Sequence, residues 1–100
     1  MSTDWVSDIE RMHHHYGVRE AVNKMDNFKL RKFLEFRINF LQEELNELRD
    51  AKSAEDVVDA LIDLCVVAIG TLDAYNVNAH QAWDEVFAAN MNKQVGIKEG

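Results

Sequence analysis

Two runs of acidic residues are spaced so that they could do chemistry together. The first is Glu43-Glu44-x-x-Glu47; after a short gap comes Asp56-x-x-Asp59, with Asp63 one helical turn further on. Side chains three or four apart share one face of a helix. Each run therefore offers one pair on one face, Glu44 with Glu47 and Asp56 with Asp59. Four carboxylates converging in a partly dry pocket repel one another strongly. A hard dication resolves that repulsion, and all-oxygen donors suit magnesium, with manganese as a substitute. The competing reading is a set of buried acid–base pairs, whose partners would have to be Arg31, Lys32, Arg37 or Lys93.

Those acids need elements to aim them, and the chain offers only helices. It contains no proline, four glycines, and no alternation of apolar and polar residues that would mark a strand. A first helix is expected from about Asp4 to Tyr16, with Thr3 or Asp4 as its cap and Gly17 ending it. A less regular connector follows to about Asp26. The second helix then runs from about Asn27 to Ala51, with Leu30, Phe33, Leu34, Ile38, Leu41, Leu45 and Leu48 at helical spacing. Ser53 caps a third helix reaching about Tyr75, with Asn76 as terminator, and Asn78 caps a fourth through about Met91. One domain over residues 1–100 is expected.

The faces of the two central helices carry the argument. Phe33, Phe36, Phe40, Glu44 and Glu47 fall within one sector about 80° wide, so the glutamates prolong an aromatic, core-facing stripe. The stretch from Val57 to Leu72 is apolar nearly all round, the mark of a buried helix, yet it carries Asp59 and Asp63. An unpartnered ionised carboxylate costs several kcal/mol, roughly, when buried. These aspartates must then be paired, protonated or metal-bound. The turn around Lys52 and Ser53 makes the two helices antiparallel neighbours, and both acid pairs lie close to it.

Composition narrows the function further. Eighteen acids against eleven bases, a formal charge of −7, argue against a nucleic-acid binder, which carries a basic face. The longest apolar stretch is interrupted by acids and too short to span a bilayer. Cys65 alone excludes a disulfide within the chain and reads as a buried small hydrophobe. No basic-then-apolar leader is visible, so a cytoplasmic location is expected. A chain of this size buries a limited core, which makes association between copies an expected source of further burial.

In order, these residues resemble the EExxE…[ED]xxD signature of the all-α nucleotide pyrophosphohydrolases, the MazG-type and phosphoribosyl-ATP pyrophosphohydrolase superfamily. Further segments carry the resemblance: His14-His15-Tyr16-Gly17-Val18, then Asp59-Ala60-Leu61-Ile62-Asp63-Leu64 with Gly70-Thr71, then Asp84-Glu85-Val86 and Asn90-Met91-x-Lys93. Asp56 stands where the family often has Glu, Phe87 where it commonly has His, and Ala88-Ala89 replace polar residues. The Ser-Tyr-Thr segment expected early in a phosphoribosyl-ATP enzyme is missing, which points away from the histidine-pathway substrate.

The resemblance implies an all-α fold with a four-helix-bundle-type core completed by homo-oligomerisation, as a dimer or tetramer. It implies magnesium-dependent cleavage of a nucleoside triphosphate, of the dNTP kind, into monophosphate and pyrophosphate. Glu44, Glu47, Asp56 and Asp59 would hold the metal. Glu43 and Asp63 would serve catalysis, and Asn90 and Lys93 would contact the substrate. Two other readings compete. A di-iron bundle could use Glu10-x-x-His13, but that architecture typically needs two such pairs. A catalytically inactive helical partner protein would keep the fold alone and use Trp5, Trp83 and Tyr75 as a surface.

Overall fold

Every helix of this chain begins or ends on a residue chosen for the backbone groups it satisfies. In the computed structural model, which describes residues 2–93, there are five helices: α1 (Trp5–Tyr16), α2 (Val18–Asn23), α3 (Asn27–Asp50), α4 (Ala54–Ala74) and α5 (Ala79–Met91). The fold is all-α, with no strand among the described residues. The Asp4 carboxylate accepts from the backbone N–H of Val6 and Ser7 and opens α1. The Ser7 hydroxyl and N–H, then His80, draw the Asp4 pKa down to about 2. Gly17, at φ 68°, closes α1 in the left-handed region where a Cβ is unfavourable. Ser53 accepts from Asp56 N–H at 3.1 Å, and Asn78 from Gln81 N–H at 3.1 Å. Asn76, at φ 60°, ends α4.

The connector between Gly17 and Asp26 is more ordered than the sequence suggests, because it contains α2. Tertiary contact accounts for this: Val22 is buried, and Arg19 pairs with Asp73 on α4.

Helices α3 and α4 form an antiparallel hairpin across the short turn at Ala51–Ser53. Tyr75 donates to the Leu30 carbonyl at 2.8 Å, and the Arg37 guanidinium donates to Thr71 Oγ1 and the Val67 carbonyl at 2.9 and 3.2 Å. Helix α1 lies along the other flank of α4 and runs in the same direction, with Trp5 and Ile9 near Ile62 to Ile69 and His13 bonded to Asp73. The core is small: Ile9, Val22, Ala60, Val67 and Ala74.

Two expectations about burial fail. Helix α4 is not buried within the chain; Val58, Leu61 and Ile62 on it are 57%, 47% and 44% exposed. The reason is coverage, since α1 and α3 occupy part of its circumference and α5 departs after the Tyr75–Asn78 turn with no residue of its own buried. Asp56, Asp59 and Asp63 are accordingly exposed, so the burial argument does not reach them. The stripe on α3 is also only partly core-facing. Phe33 and Phe40 are half-buried and Glu44 buried, whereas Phe36 and Glu47 are exposed. Cys65 is half-buried.

Candidate metal centre between α3 and α4

The antiparallel pairing of α3 and α4 brings residues about equally far from the turn into register. Glu44 and Glu47 thereby meet Asp63: one carboxylate oxygen from each lies within 4.8 Å of the others. That is the separation a shared ion requires of its donors. Ala60, buried at the floor, lets the two helices approach closely here. A cleft of about 500 Å³ opens from this point toward the turn, lined by Asn46, Glu47, Asp50, Asp56, Asp59 and Asp63 over Ala51 and Ala60.

Glu44 is the exceptional member. It is 9% exposed, and its Oε2 is buried with no hydrogen-bond partner. Buried polar atoms in folded proteins are almost always satisfied, so each exception calls for a cause. Burial raises the Glu44 pKa above its ordinary value, and the charges of Glu47, Asp63 and Glu43 push it the same way. Among the described residues, none of Glu43, Glu44, Glu47, Asp56, Asp59 or Asp63 forms an ion pair. The acid–base alternative is thus unsupported for Arg37, which is committed to α4, and for Lys32, which pairs with Glu35.

The expected site residues divide by position. Glu44, Glu47 and Asp63 converge, and Asp56 and Asp59 line the same cleft nearer the turn. Glu43 is exposed beside Glu44 and stands outside the cleft lining. Asn90 and Lys93 are exposed at and beyond the end of α5, and neither lines the cleft. Two lining residues, Asn46 and Asp50, escaped the sequence reading. Asp50 lies three residues after Glu47, the same spacing as the recognised pairs, and that was the available signal.

A second polar centre is built differently. Asp73, 4% exposed, accepts from Arg19 and sits 2.8 Å from His13 Nδ1, tying α1 and α2 to α4. The larger cleft beside it, about 550 Å³ and lined by Glu10, Arg11, His14, His15, Arg19 and Asp73, has its arginines already paired with Asp8 and Asp73. Glu10 and His13 join no three-ligand cluster among the described residues, and His13 is bonded to Asp73, so nothing in the geometry of one chain supports the di-iron reading. The unmet demand is in the acidic cleft.

A family model described as phosphoribosyl-ATP pyrophosphohydrolase matches residues 12–90. The chain belongs to that family. As such it falls within the MazG-like nucleotide pyrophosphohydrolase superfamily, whose members hydrolyse acid anhydrides. Neither the comparison with curated proteins nor that with solved structures gives a match. The matched span contains both acid runs and closes at Asn90, leaving Lys93 outside it. Metal dependence is typical of the family, and the acidic cluster has the all-oxygen donors such an ion takes. Among the described residues, no helix is long and apolar enough to cross a membrane.

Proposed function

We propose that the chain hydrolyses a nucleoside triphosphate, of the dNTP kind, at the α–β linkage in a magnesium-dependent reaction. The observation that carries this reading is the buried, unpartnered Glu44 Oε2 at the point where Glu47 and Asp63 converge. A solitary carboxylate in that position is unfavourable, and a hard cation is the partner that fits an all-carboxylate set. Glu44, Glu47 and Asp63 would hold one ion, and Asp56 with Asp59 would hold metal nearer the turn. This moves Asp63 from the catalytic role expected of it to that of a ligand. When bound, magnesium supplies Lewis acidity and neutralises polyphosphate charge.

The chain's own residues supply the rest. The carboxylates fix where the polyphosphate lies, since it enters a cleft of like charge only through shared cations. Glu43, exposed next to Glu44 and outside the cleft lining but close enough for its charge to act on Glu44, would accept the proton of the attacking water. The new bond joins water oxygen to the α-phosphorus, the bond from that phosphorus to the bridging oxygen breaks, and pyrophosphate leaves. Asn90 and Lys93 do not line the cleft of their own chain, so their proposed substrate contacts depend on a second copy. A homodimer or homotetramer is the state proposed, because α4 and α5 expose Val58, Leu61, Trp83, Phe87 and Met91.

The test is a screen of standard and damaged (d)NTPs with magnesium or manganese, separating pyrophosphate from orthophosphate. Pyrophosphate with monophosphate is the expected product pair. Orthophosphate alone would place cleavage at the γ position and refute the mechanism. No release from any nucleotide would favour an inactive partner protein that keeps the fold.

A further inference from the structure

The acidic cleft is short of one thing a polyphosphate needs besides cations, namely hydrogen-bond donors. Its lining comprises Asn46, Glu47, Asp50, Asp56, Asp59 and Asp63 over two alanines. Ionised carboxylates only accept, and alanine offers no side-chain polar group. Among the described residues, Asn46 is therefore the sole lining side chain that carries N–H groups.

The Asn46 amide is also oriented. Gln42, one turn earlier on α3, donates from Nε2 to Asn46 Oδ1 at 3.0 Å. That bond engages the oxygen of the amide and leaves both N–H groups of Nδ2 free; among the described residues they reach no protein acceptor. Turning both amides over would keep a Gln42–Asn46 hydrogen bond of equal length. It would, however, leave the negative end of the Asn46 dipole as its unengaged end beside a cleft full of carboxylates. Their field favours the arrangement in which the N–H groups of Nδ2 are the ones left unengaged.

We propose that Asn46 is a substrate-binding residue that donates to a non-bridging phosphate oxygen of the nucleotide, with Gln42 as the positioning residue that holds its amide. This inference rests on the proposed function and names a contact within the same cleft. The contact carries no net charge, so it adds a directed bond without competing with the carboxylates for the cation. Asparagine suits the position because aspartate would add repulsion, whereas lysine would displace metal from its ligands.

The experiment measures binding of a non-hydrolysable α,β-methylene deoxynucleoside triphosphate with saturating magnesium, alongside manganese binding without nucleotide. Losing a hydrogen bond to a charged acceptor weakens binding by roughly tenfold or more, the effect expected for Asn46→Ala. Asn46→Ser keeps a donor and should recover part of the loss. Gln42→Glu replaces the donor by an acceptor of the same length, turns the Asn46 amide around, and should weaken the analogue several-fold; Gln42→Met should do less. Manganese affinity without nucleotide should stay at the parent value in Asn46→Ala and Gln42→Met. Equal analogue binding by the parent and Asn46→Ala would overturn the proposal. So would a parallel loss of manganese affinity, which would put Asn46 in the metal site, and so would failure of the parent to bind the analogue. Analogue binding that depends on Asn46 in a protein releasing no pyrophosphate would sink the activity and leave this contact standing.

Discussion

Replacing Gly70 by alanine sets two effects against each other, and the structure says which is larger. Gly70 is inside α4, where alanine is favoured over glycine by about 1 kcal/mol. On propensity alone Gly70→Ala should stabilise. A Cβ built at Gly70, however, would lie 2.5 Å from Arg37 Nη2 and 3.3 Å from His13 Cε1 and Nε2. The 2.5 Å approach is impossible, so the guanidinium must move. The same Nη2 donates to the Val67 carbonyl, and the Nε beside it to Thr71 Oγ1. A hydrogen bond from a charged donor is worth about 2 kcal/mol, so losing the Val67 bond outweighs the propensity gain by about 1 kcal/mol. For a domain of this size that lowers Tm by roughly 4–8 °C, measured by thermal unfolding at matched protein concentration. Contact with buried His13 deepens the loss. A rise in Tm would refute the reasoning. The double variant with Arg37→Met isolates the cause: once the guanidinium is gone, adding Gly70→Ala should be neutral or stabilising.

Three other outcomes are expected. Glu44 has a folded-state pKa above its ordinary value of 4.5 because it is buried among like charges, so its contribution to the stability of the metal-free protein is full below that pH and is lost as pH rises through the folded pKa. Melts in chelator should show this decline, and Glu44→Gln should flatten it while raising Tm near neutrality. Asp59→Asn should abolish pyrophosphate release with the helical circular dichroism signal retained, since Asp59 is exposed and forms no ion pair; an unfolded variant would instead make Asp59 structural. Asp73→Ala leaves buried His13 without its partner and should cost about 3–5 kcal/mol, seen as a large fall in the midpoint of denaturant unfolding.

The legible parts of this chain are those decided locally. Asp4, Gly17, Ser53, Asn76 and Asn78 announce helix ends because each satisfies or terminates backbone groups within a few residues. The pairing of α3 with α4 follows from a turn too short to allow anything else, and with it the meeting of Glu44 and Glu47 with Asp63. What failed was decided at a distance. Helix α2 depends on Val22 finding a buried site and Arg19 finding Asp73 some fifty residues away, and six residues of unremarkable composition carry no sign of either. The apolar girth of α4 was read as burial inside one chain, but hydrophobicity says only that a surface wants cover. Asp50 stayed outside the acid set because membership of the cleft depends on where α3 stops relative to α4.

The fold and the site make opposite demands on the α3–α4 hairpin, and Glu44 shows how they are met. Each apolar residue added along this seam would strengthen a chain whose core, among the described residues, consists of Ile9, Val22, Ala60, Val67 and Ala74. Instead α3 gives its one buried position to a carboxylate with an unpartnered oxygen, surrounded by the charges of Glu43, Glu47 and Asp63. Stability has to come from elsewhere, and the structure shows where: the far end of the hairpin is held by Arg37 on Thr71 and Val67, by Tyr75 on Leu30, and by the buried His13–Asp73–Arg19 network. At about 1.5 Å of rise per residue, Asp73 lies roughly 15 Å along α4 from Asp63, beyond the screening length of about 8 Å at physiological salt. The His13–Asp73–Arg19 network is thus kept at one end of α4 and the acid cluster at the other. An arginine that stabilised the acid cluster directly would neutralise the charge that suits it to a cation, so the separation lets one short chain hold its fold and keep an acid cluster that, among the described residues, has no ion pair.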